Sequence, residues 1–174
     1  MSEVIRVSAE RLRKLIRYEP LFGRFTWLIQ RAYVVFPGDE AGYVRTSMCG
    51  HLEQKYRVIE IDGCAYKAHQ LAWLYMTGEW PSKLVDHRDC DSLNNSWENL
   101  RLATSSQNKA NSFGYQNNKL GIKGVSQRGK RYIARIRVDG KLLYLGRFSS
   151  VDEASAAYAA AAKRHFGEFA RFAA

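Results

Sequence analysis

The sequence predicts an α+β protein that is built from two modules. Short candidate strands and tight turns alternate with a few helical stretches along its 174 residues. Asp62-Gly63 and Asp139-Gly140 are strong two-residue hairpin signals, because the favoured turn needs positive φ at both positions. The polar stretch 112–118 separates two regions of different charge. We therefore expect an N-terminal domain over 1–111, a linker over 112–118 and a C-terminal domain over 119–174.

The charge is concentrated in the C-terminal third. The whole chain has a net charge of +10 and a pI of about 9.7. Residues 1–111 hold 15 Lys and Arg against 13 Asp and Glu, whereas residues 112–174 hold 12 against 4. A basic balance of this kind favours a polyanionic partner, most often a nucleic acid. The alternative is a basic protein whose charge serves only solubility.

Cysteine usage and hydropathy exclude several classes of protein. Cys49, Cys64 and Cys90 are widely spaced and form no Cys-x-x-Cys pair, which argues against structural zinc and against a disulfide framework. No apolar signal core or membrane-length run is present. We expect a soluble protein of a reducing, intracellular compartment, the cytoplasm, with no membrane partner.

The first half of the chain reads as a helix, a set of short strands and a second helix. Ser8 is a suitable cap for a helix that ends at Pro20, and Thr77-Gly78 closes the second helix. The predicted strands are 25–27, 42–44, 56–61 and 64–67, and the second helix covers 68–76.

The segment from Asp86 to Asn108 follows these elements and is rich in Asp and Asn. Its apolar ends predict two hairpin strands, 84–88 and 100–103, joined by an Asn-rich loop. Thr104 or Ser105 is a suitable cap for a following helix that carries Asn108.

This segment holds the groups that phosphodiester hydrolysis requires. A hard ion such as Mg²⁺ keeps most of its waters, so the Asp86 carboxylate and the Asn108 amide oxygen suffice as ligands. His87 can accept a proton from the attacking water. Neighbouring strand residues point to opposite faces, so Asp86 and His87 share one site only if the strand twists there or the phosphate lies between them.

The same residues resemble the HNH endonuclease family over about 40–112. Asp86-His87 resembles its acid–histidine pair, with His87 as general base. Asn99, in Glu-Asn-Leu-Arg, resembles the central Asn that braces the loop, and Asn108 resembles the final, helix-borne metal ligand. The resemblance implies a nuclease that uses one Mg²⁺ or Mn²⁺ ion and acts on double-stranded DNA.

The spacing is similar to that of the phage homing branch of this family, and so is Ala68-His69-Gln70-Leu71-Ala72-Trp73 ahead of the pair. Gln70 stands where Arg is usual, which puts a phosphate contact there in doubt. The branch implies a chain encoded by a phage in a bacterial host.

The C-terminal module reads as three strands and a helix. The predicted strands are 121–126, 132–138 and 141–148, with turns at Gly129 and Asp139-Gly140, and the helix covers 151–165. In the middle strand Arg131, Arg135 and Arg137 share one face, and Tyr132, Ala134 and Ile136 share the other. One face is therefore cationic and the other apolar.

This module resembles the AP2/ERF DNA-binding domain over about 119–172. The resemblance places five residues at DNA-facing positions: Lys123, Arg128, Arg135, Arg137 and Tyr144. Arg135 stands where an acid is common and Ser126 where Arg is common, so base specificity does not carry over. The alternative is that the charged face of this sheet only contacts solvent and does not bind DNA.

Together these observations predict a metal-dependent DNA endonuclease, with a ββα-metal module positioned by a three-stranded antiparallel sheet that packs on one helix. We expect a monomer. A non-catalytic DNA-binding regulator is the alternative from another class, with a catalytically inactive nuclease module. Binding or cutting of structured RNA is a third, weaker reading.

Overall fold

The computed structural model describes residues 6–49, 52–112, 118 and 120–171. The chain is a mixture of helices and small sheets, in agreement with the α+β class. It forms two compact units, Met1–Leu102 and Ala103–Ala174. Most of the predicted linker 112–118 lies outside the described residues. The helix that precedes it falls in the second unit. The domain bounds drawn from the sequence stay a prediction.

The first unit consists of short strands around two helices. Its strands pair as β1–β2, as an antiparallel β3–β4–β5 sheet, and as β6–β7. The elements are α1 (Ala9–Leu15), β1 (Ile16–Glu19), β2 (Arg24–Trp27), β3 (Tyr43–Cys49), β4 (Leu52–Ile61), β5 (Cys64–Lys67), α2 (Ala68–Thr77), β6 (Leu84–His87) and β7 (Leu100–Ala103), with a 3₁₀ turn over Trp97–Asn99 before β7.

Helix α1 is shorter than the sequence predicts. Ser8 caps it as expected, because its side chain accepts a hydrogen bond from the amide of Arg11. The prediction that the helix continues to Pro20 is wrong, because Ile16–Glu19 pairs with Arg24–Trp27 instead. The Tyr18 ring stacks on Phe25 at 4.7 Å between centroids. Tertiary burial of these side chains outweighs their weak helix preference.

The core of the first unit joins α1, its three sheets and α2. The Asp62-Gly63 turn is confirmed: Ile61 pairs with Cys64, and both turn residues have positive φ. Strand β5 of this hairpin leads directly into α2, whose apolar side chains pack into the core. The largest fully buried side chains of this core include Leu12, Ile16, Phe25, Ile59, Ile61, Leu71 and Leu74.

The second unit is a helix followed by a sheet and a second helix. Its strands pair antiparallel in the order β10–β9–β8. The elements are α3 (Ser105–Asn111), β8 (Val125–Arg128), β9 (Arg131–Val138), β10 (Lys141–Phe148) and α4 (Val151–Phe166), and a 3₁₀ turn covers Gly167–Phe169. Strand β8 begins later than the sequence predicts, because Gly121 and Gly124 both have positive φ ahead of it.

Helix α4 packs on one face of this sheet. Ser150 caps the helix and forms a reciprocal capping box with Glu153. Small side chains at Ala154 and Ala162 let the helix approach the buried face of β9 closely. Their burial leaves the other face of the sheet to its charged residues. Within the described residues, no helix has the length and apolar character needed to cross a membrane.

Candidate active site and basic face

Asp86 lies at the end of β6 in a buried ion pair. Its Oδ2 accepts a hydrogen bond from Arg101 Nε at 2.9 Å, and the side chains are only 5% and 7% exposed. Arg101 comes from β7, the strand that pairs with β6. The sequence did not assign a role to Arg101. An ion pair removed from water this far requires close geometry to offset the desolvation of both charges.

His87 is the next residue and is also buried. Its Nε2 lies 3.4 Å from Asn95 Oδ1. Its ring meets His69 of α2 edge to face, at 5.0 Å between centroids and 86° between planes. Burial lowers the pKa of His87 below the ordinary histidine value, and burial lowers that of His69 to about 3. Both imidazoles are therefore uncharged near pH 7.

The loop between β6 and β7 is held by amide side chains. Asn99 Oδ1 accepts from the amide of Asp89 at 3.0 Å, and its Nδ2 donates to Asp89 Oδ1 and to the Asn94 carbonyl at 2.9 and 2.8 Å. Asn94 donates from Nδ2 to the other oxygen of Asp89 at 2.7 Å. These hydrogen bonds join Asp89, near the start of the loop, to residues further along it. Side chains as well as the backbone therefore hold the loop in shape.

The β1–β2 hairpin presses on the same loop. The Trp97 amide donates to the Pro20 carbonyl at 2.8 Å, and the Tyr18 hydroxyl donates to the Asn95 carbonyl at 2.7 Å. Gly23 has a φ of +68°, and a Cβ there would overlap the backbone of Asn95 and Ser96. Only glycine combines this conformation with so close an approach.

Asn108 lies on α3 in the second unit, whereas Asp86 belongs to the first. Thr104 caps α3 through a capping box with Gln107. The backbone N–H of Asn108 donates to the Thr104 carbonyl at 2.9 Å. The side chain of Asn108 is exposed. The helix follows β7 directly in the chain, so β6, β7 and α3 occur in the predicted order.

The two ligands that the sequence predicts, the Asp86 carboxylate and the Asn108 amide, offer oxygen donors of the kind that Mg²⁺ prefers. No group of three or more His, Cys, Asp or Glu side chains in the described part of the chain can hold a metal. Zinc and calcium sites with full protein ligation need more ligands than one carboxylate and one amide. Mg²⁺ does not, because one or two protein oxygens are enough. One oxygen of Asp86 also accepts from Arg101, which limits how that carboxylate can meet a cation.

The exposed face of the second unit is strongly cationic. Strand register places Arg135 beside Tyr144, Arg137 beside Leu142, and Arg128 beside Arg131. Tyr144 is 61% exposed, and Arg135 and Arg137 are also exposed. Because alternate strand residues share a face, these side chains and Arg147 point away from α4. By the same alternation Ile133 lies on this face, but it is buried.

Lys123 has a different environment from the other predicted DNA contacts. Its ammonium donates to the carbonyls of Lys109, Ala110 and Ser112 at 2.9, 2.7 and 2.7 Å. These are the carbonyls that the end of α3 leaves without helical partners. The position thus caps a helix, a role that the sequence did not reveal.

Comparison with known proteins identifies the segment that holds His87. Residues 66–110 match the HNH endonuclease family. The chain is also 36% identical over 98 residues to an uncharacterized HNH endonuclease of Acanthamoeba polyphaga mimivirus, a match that covers 56% of this chain. It spans about half of that relative, 51% of its length. Residues 66–110 are therefore similar to the HNH endonuclease family, which favours a nuclease. HNH nucleases generally use a divalent metal ion.

Proposed function

We propose that this protein is a metal-dependent endonuclease that hydrolyses phosphodiester bonds in double-stranded DNA. The observation that carries the proposal is the buried His87 next to the buried Asp86, inside the segment that matches the HNH endonuclease family. A neutral imidazole that its neighbours hold in place can accept a proton. An acid–histidine pair exposed on the surface would not be held in one orientation.

In the proposed mechanism His87 removes a proton from the water that attacks the phosphorus. Asn99 keeps the loop after His87 in one shape through its hydrogen bonds to Asp89 and Asn94. Asp86 and Asn108 would hold Mg²⁺ or Mn²⁺. Such an ion, when bound, polarises the phosphate and stabilises the leaving oxygen. Arg101 fixes one oxygen of Asp86, so it orients the carboxylate.

The cationic sheet face is the proposed means of positioning this domain on DNA. Arg128, Arg135 and Arg137 lie on that face with Tyr144, as in an AP2-type module. A sheet of this width fits the major groove, where Arg pairs with guanine edges. Lys123 contributes to the field of the face while its ammonium caps α3. From the pairing of a nuclease with such a module we propose a homing enzyme of the phage type, and we expect it to act as a monomer.

One observation favours a second function, that of a DNA-binding regulator without activity. The Asp86–Arg101 pair satisfies the carboxylate in the way that a purely structural role would. In that reading the first unit is a scaffold, and only the cationic face of the second unit contacts DNA. Cleavage distinguishes the two functions, because both include DNA binding.

The test is conversion of supercoiled plasmid and of a library of genomic fragments in Mg²⁺, beside EDTA. We expect Mg²⁺-dependent nicked or linear products that disappear in EDTA and in His87→Ala. His165→Ala is the matched control, since His165 is exposed on α4 and removes an imidazole without touching the site. Its products should equal those of the parent. DNA binding without cleavage of any fragment would contradict the nuclease and support the regulator.

A further inference from the structure

The inference concerns Asn95, a polar residue that is almost completely buried. Asn95 lies in the loop between β6 and β7, and only 1% of its surface is exposed. A buried amide persists only where its polar atoms have partners. Those partners define which way the amide is turned, and therefore which atom it presents to His87.

The orientation of the amide follows from its hydrogen bonds. Asn95 Nδ2 donates to the Leu93 carbonyl at 3.0 Å, and a carbonyl can only accept. The oxygen Oδ1 must then be the atom that faces His87 Nε2, at 3.4 Å. Because Oδ1 is an acceptor, Nε2 carries the hydrogen of the neutral imidazole. The lone pair that can take up a proton is then on Nδ1.

Asn95 is itself fixed from the far side by the β1–β2 hairpin. The Tyr18 hydroxyl donates to its backbone carbonyl in a buried hydrogen bond of 2.7 Å. Gly23 packs so closely that a Cβ would overlap the Asn95 backbone. The amide therefore has a rigid support from the N-terminal segment, outside the residues 66–110 that match the nuclease family.

His69 limits the remaining freedom of the His87 ring. It meets that ring edge to face at 5.0 Å, and Tyr56 in turn meets His69 at 5.7 Å. The His87 ring is thus contacted at Nε2 by Asn95 and on another side by His69. Hydrogen bonds of this length are ordinary in the resting state of a catalytic group and shorten when substrate is bound.

We propose that Asn95 is a positioning residue that holds His87 as its Nε2–H tautomer and directs Nδ1 toward the attacking water. The proposal rests on the nuclease function proposed above. It adds a residue of the loop that is neither the loop-bracing Asn99 nor a metal ligand. Its consequence is that the N-terminal hairpin, through Tyr18 and Gly23, helps to position the general base.

The first test needs no DNA. Long-range ¹H–¹⁵N spectra of the ¹⁵N-His-labelled full chain at neutral pH report which imidazole nitrogen carries the hydrogen, with His87→Ala used for assignment. We expect His87 to show a protonated Nε2 and an unprotonated Nδ1. An Nδ1–H tautomer, or an even mixture of the two, would overturn the proposal. Because the spectrum does not involve cleavage, this result is separate from any failure of the nuclease function.

The second test compares Asn95→Leu, Asn95→Asp and Asn94→Leu. Asn94 is the matched control, because its side chain binds Asp89 and Ser96 in the same loop rather than His87. We expect Asn95→Leu to lose the single tautomer and about 10²-fold in the single-turnover rate at saturating DNA, with unchanged half-saturation. Asn95→Asp keeps an acceptor oxygen and should keep the tautomer, and Asn94→Leu should keep it too.

A tautomer that persists in Asn95→Leu, or one that is lost equally in Asn94→Leu, would contradict the assignment. If Asn95→Leu does not fold, the parent spectrum still decides it, because an Nδ1–H tautomer there would contradict the assignment. A parent that cuts no DNA but shows the expected tautomer change in Asn95→Leu would refute the nuclease function alone.

Discussion

The two units carry their polar residues in opposite ways. In the first unit Asp86, His87 and Asn95 are buried and have specific partners. In the second unit Arg135 and Arg137 stand on an exposed sheet face. Buried groups in fixed geometry suit a chemical step, because their orientation exists before substrate arrives. Exposed cations suit attraction of a polyanion, an effect that salt screens. Under the proposed function, the general base belongs to the first unit, whereas the second unit supplies the DNA-binding face and also carries the proposed metal ligand Asn108.

The largest effect should come from His87→Ala. Loss of a positioned general base typically costs about 10²–10⁴-fold in rate. We expect the single-turnover cleavage rate to fall by that factor while the affinity for DNA is unchanged, because His87 is buried and is not one of the cationic residues of the sheet face. Quenched-flow cleavage and fluorescence anisotropy measure the two quantities. Cleavage at the parental rate would remove His87 from the mechanism.

The buried ion pair should matter for stability far more than an exposed one in the same unit. Arg101→Met removes a guanidinium from the buried carboxylate of Asp86 and should lower the free energy of unfolding by about 3–5 kcal/mol. Urea denaturation followed by tryptophan fluorescence measures it. The control is Arg11→Met, which removes the exposed pair with Asp62. Its effect should be much smaller, and equal losses would show that burial of the Asp86 pair has no special weight.

A third prediction concerns the support that the β1–β2 hairpin gives to the loop. Gly23→Ala should lower the free energy of unfolding by more than Gly63→Ala. Both positions have positive φ, a strain worth roughly 1–2 kcal/mol. Only at Gly23 does the added Cβ overlap another backbone segment, since nothing lies within 4 Å of the Cβ position at Gly63. Thermal denaturation compares the variants, and the reverse order would contradict the close packing.

The smallest effect should be the salt dependence of the second unit. Replacing Arg135 and Arg137 together by Ala should reduce the slope of log affinity against log salt by about two, if both side chains contact phosphate. Lys163→Ala with Arg164→Ala is the matched control, because both lie exposed on α4. Filter binding at several salt concentrations measures the slope. Equal changes in the two double variants would show that net charge, and not the sheet face, controls binding.

The sequence predicted most of the elements that hold the site. Asp62-Gly63 and the cap at Thr104 were predictable because turn and cap chemistry depends on a few adjacent residues. The strand at Ile16–Glu19 was not, because its pairing with Arg24–Trp27 depends on aromatic burial that a helical pattern conceals. Local chemistry is thus readable from sequence, and competition between local and tertiary preference is not.

The polar partners of the site were the hardest to predict. Asn95 looks like an ordinary turn residue in Asn94-Asn95, and only its burial against His87 distinguishes it. Lys123 has the residue type of a DNA contact, but its ammonium donates to the carbonyls of Lys109 and Ala110 at the end of α3. In both positions the residue type is ambiguous and the role depends on a distant segment.

The most direct test of the division between the units is to measure cleavage and binding on the same two variants. His87→Ala and the Arg135→Ala, Arg137→Ala double variant are compared with the parent in Mg²⁺, over a full range of DNA concentration. We predict that His87→Ala binds normally and cuts about 10²–10⁴-fold more slowly than the parent, and that the double variant binds weakly but cuts at the parental rate once saturated. A double variant that is slow at saturation, or a His87→Ala protein that cuts at the parental rate, would contradict the account.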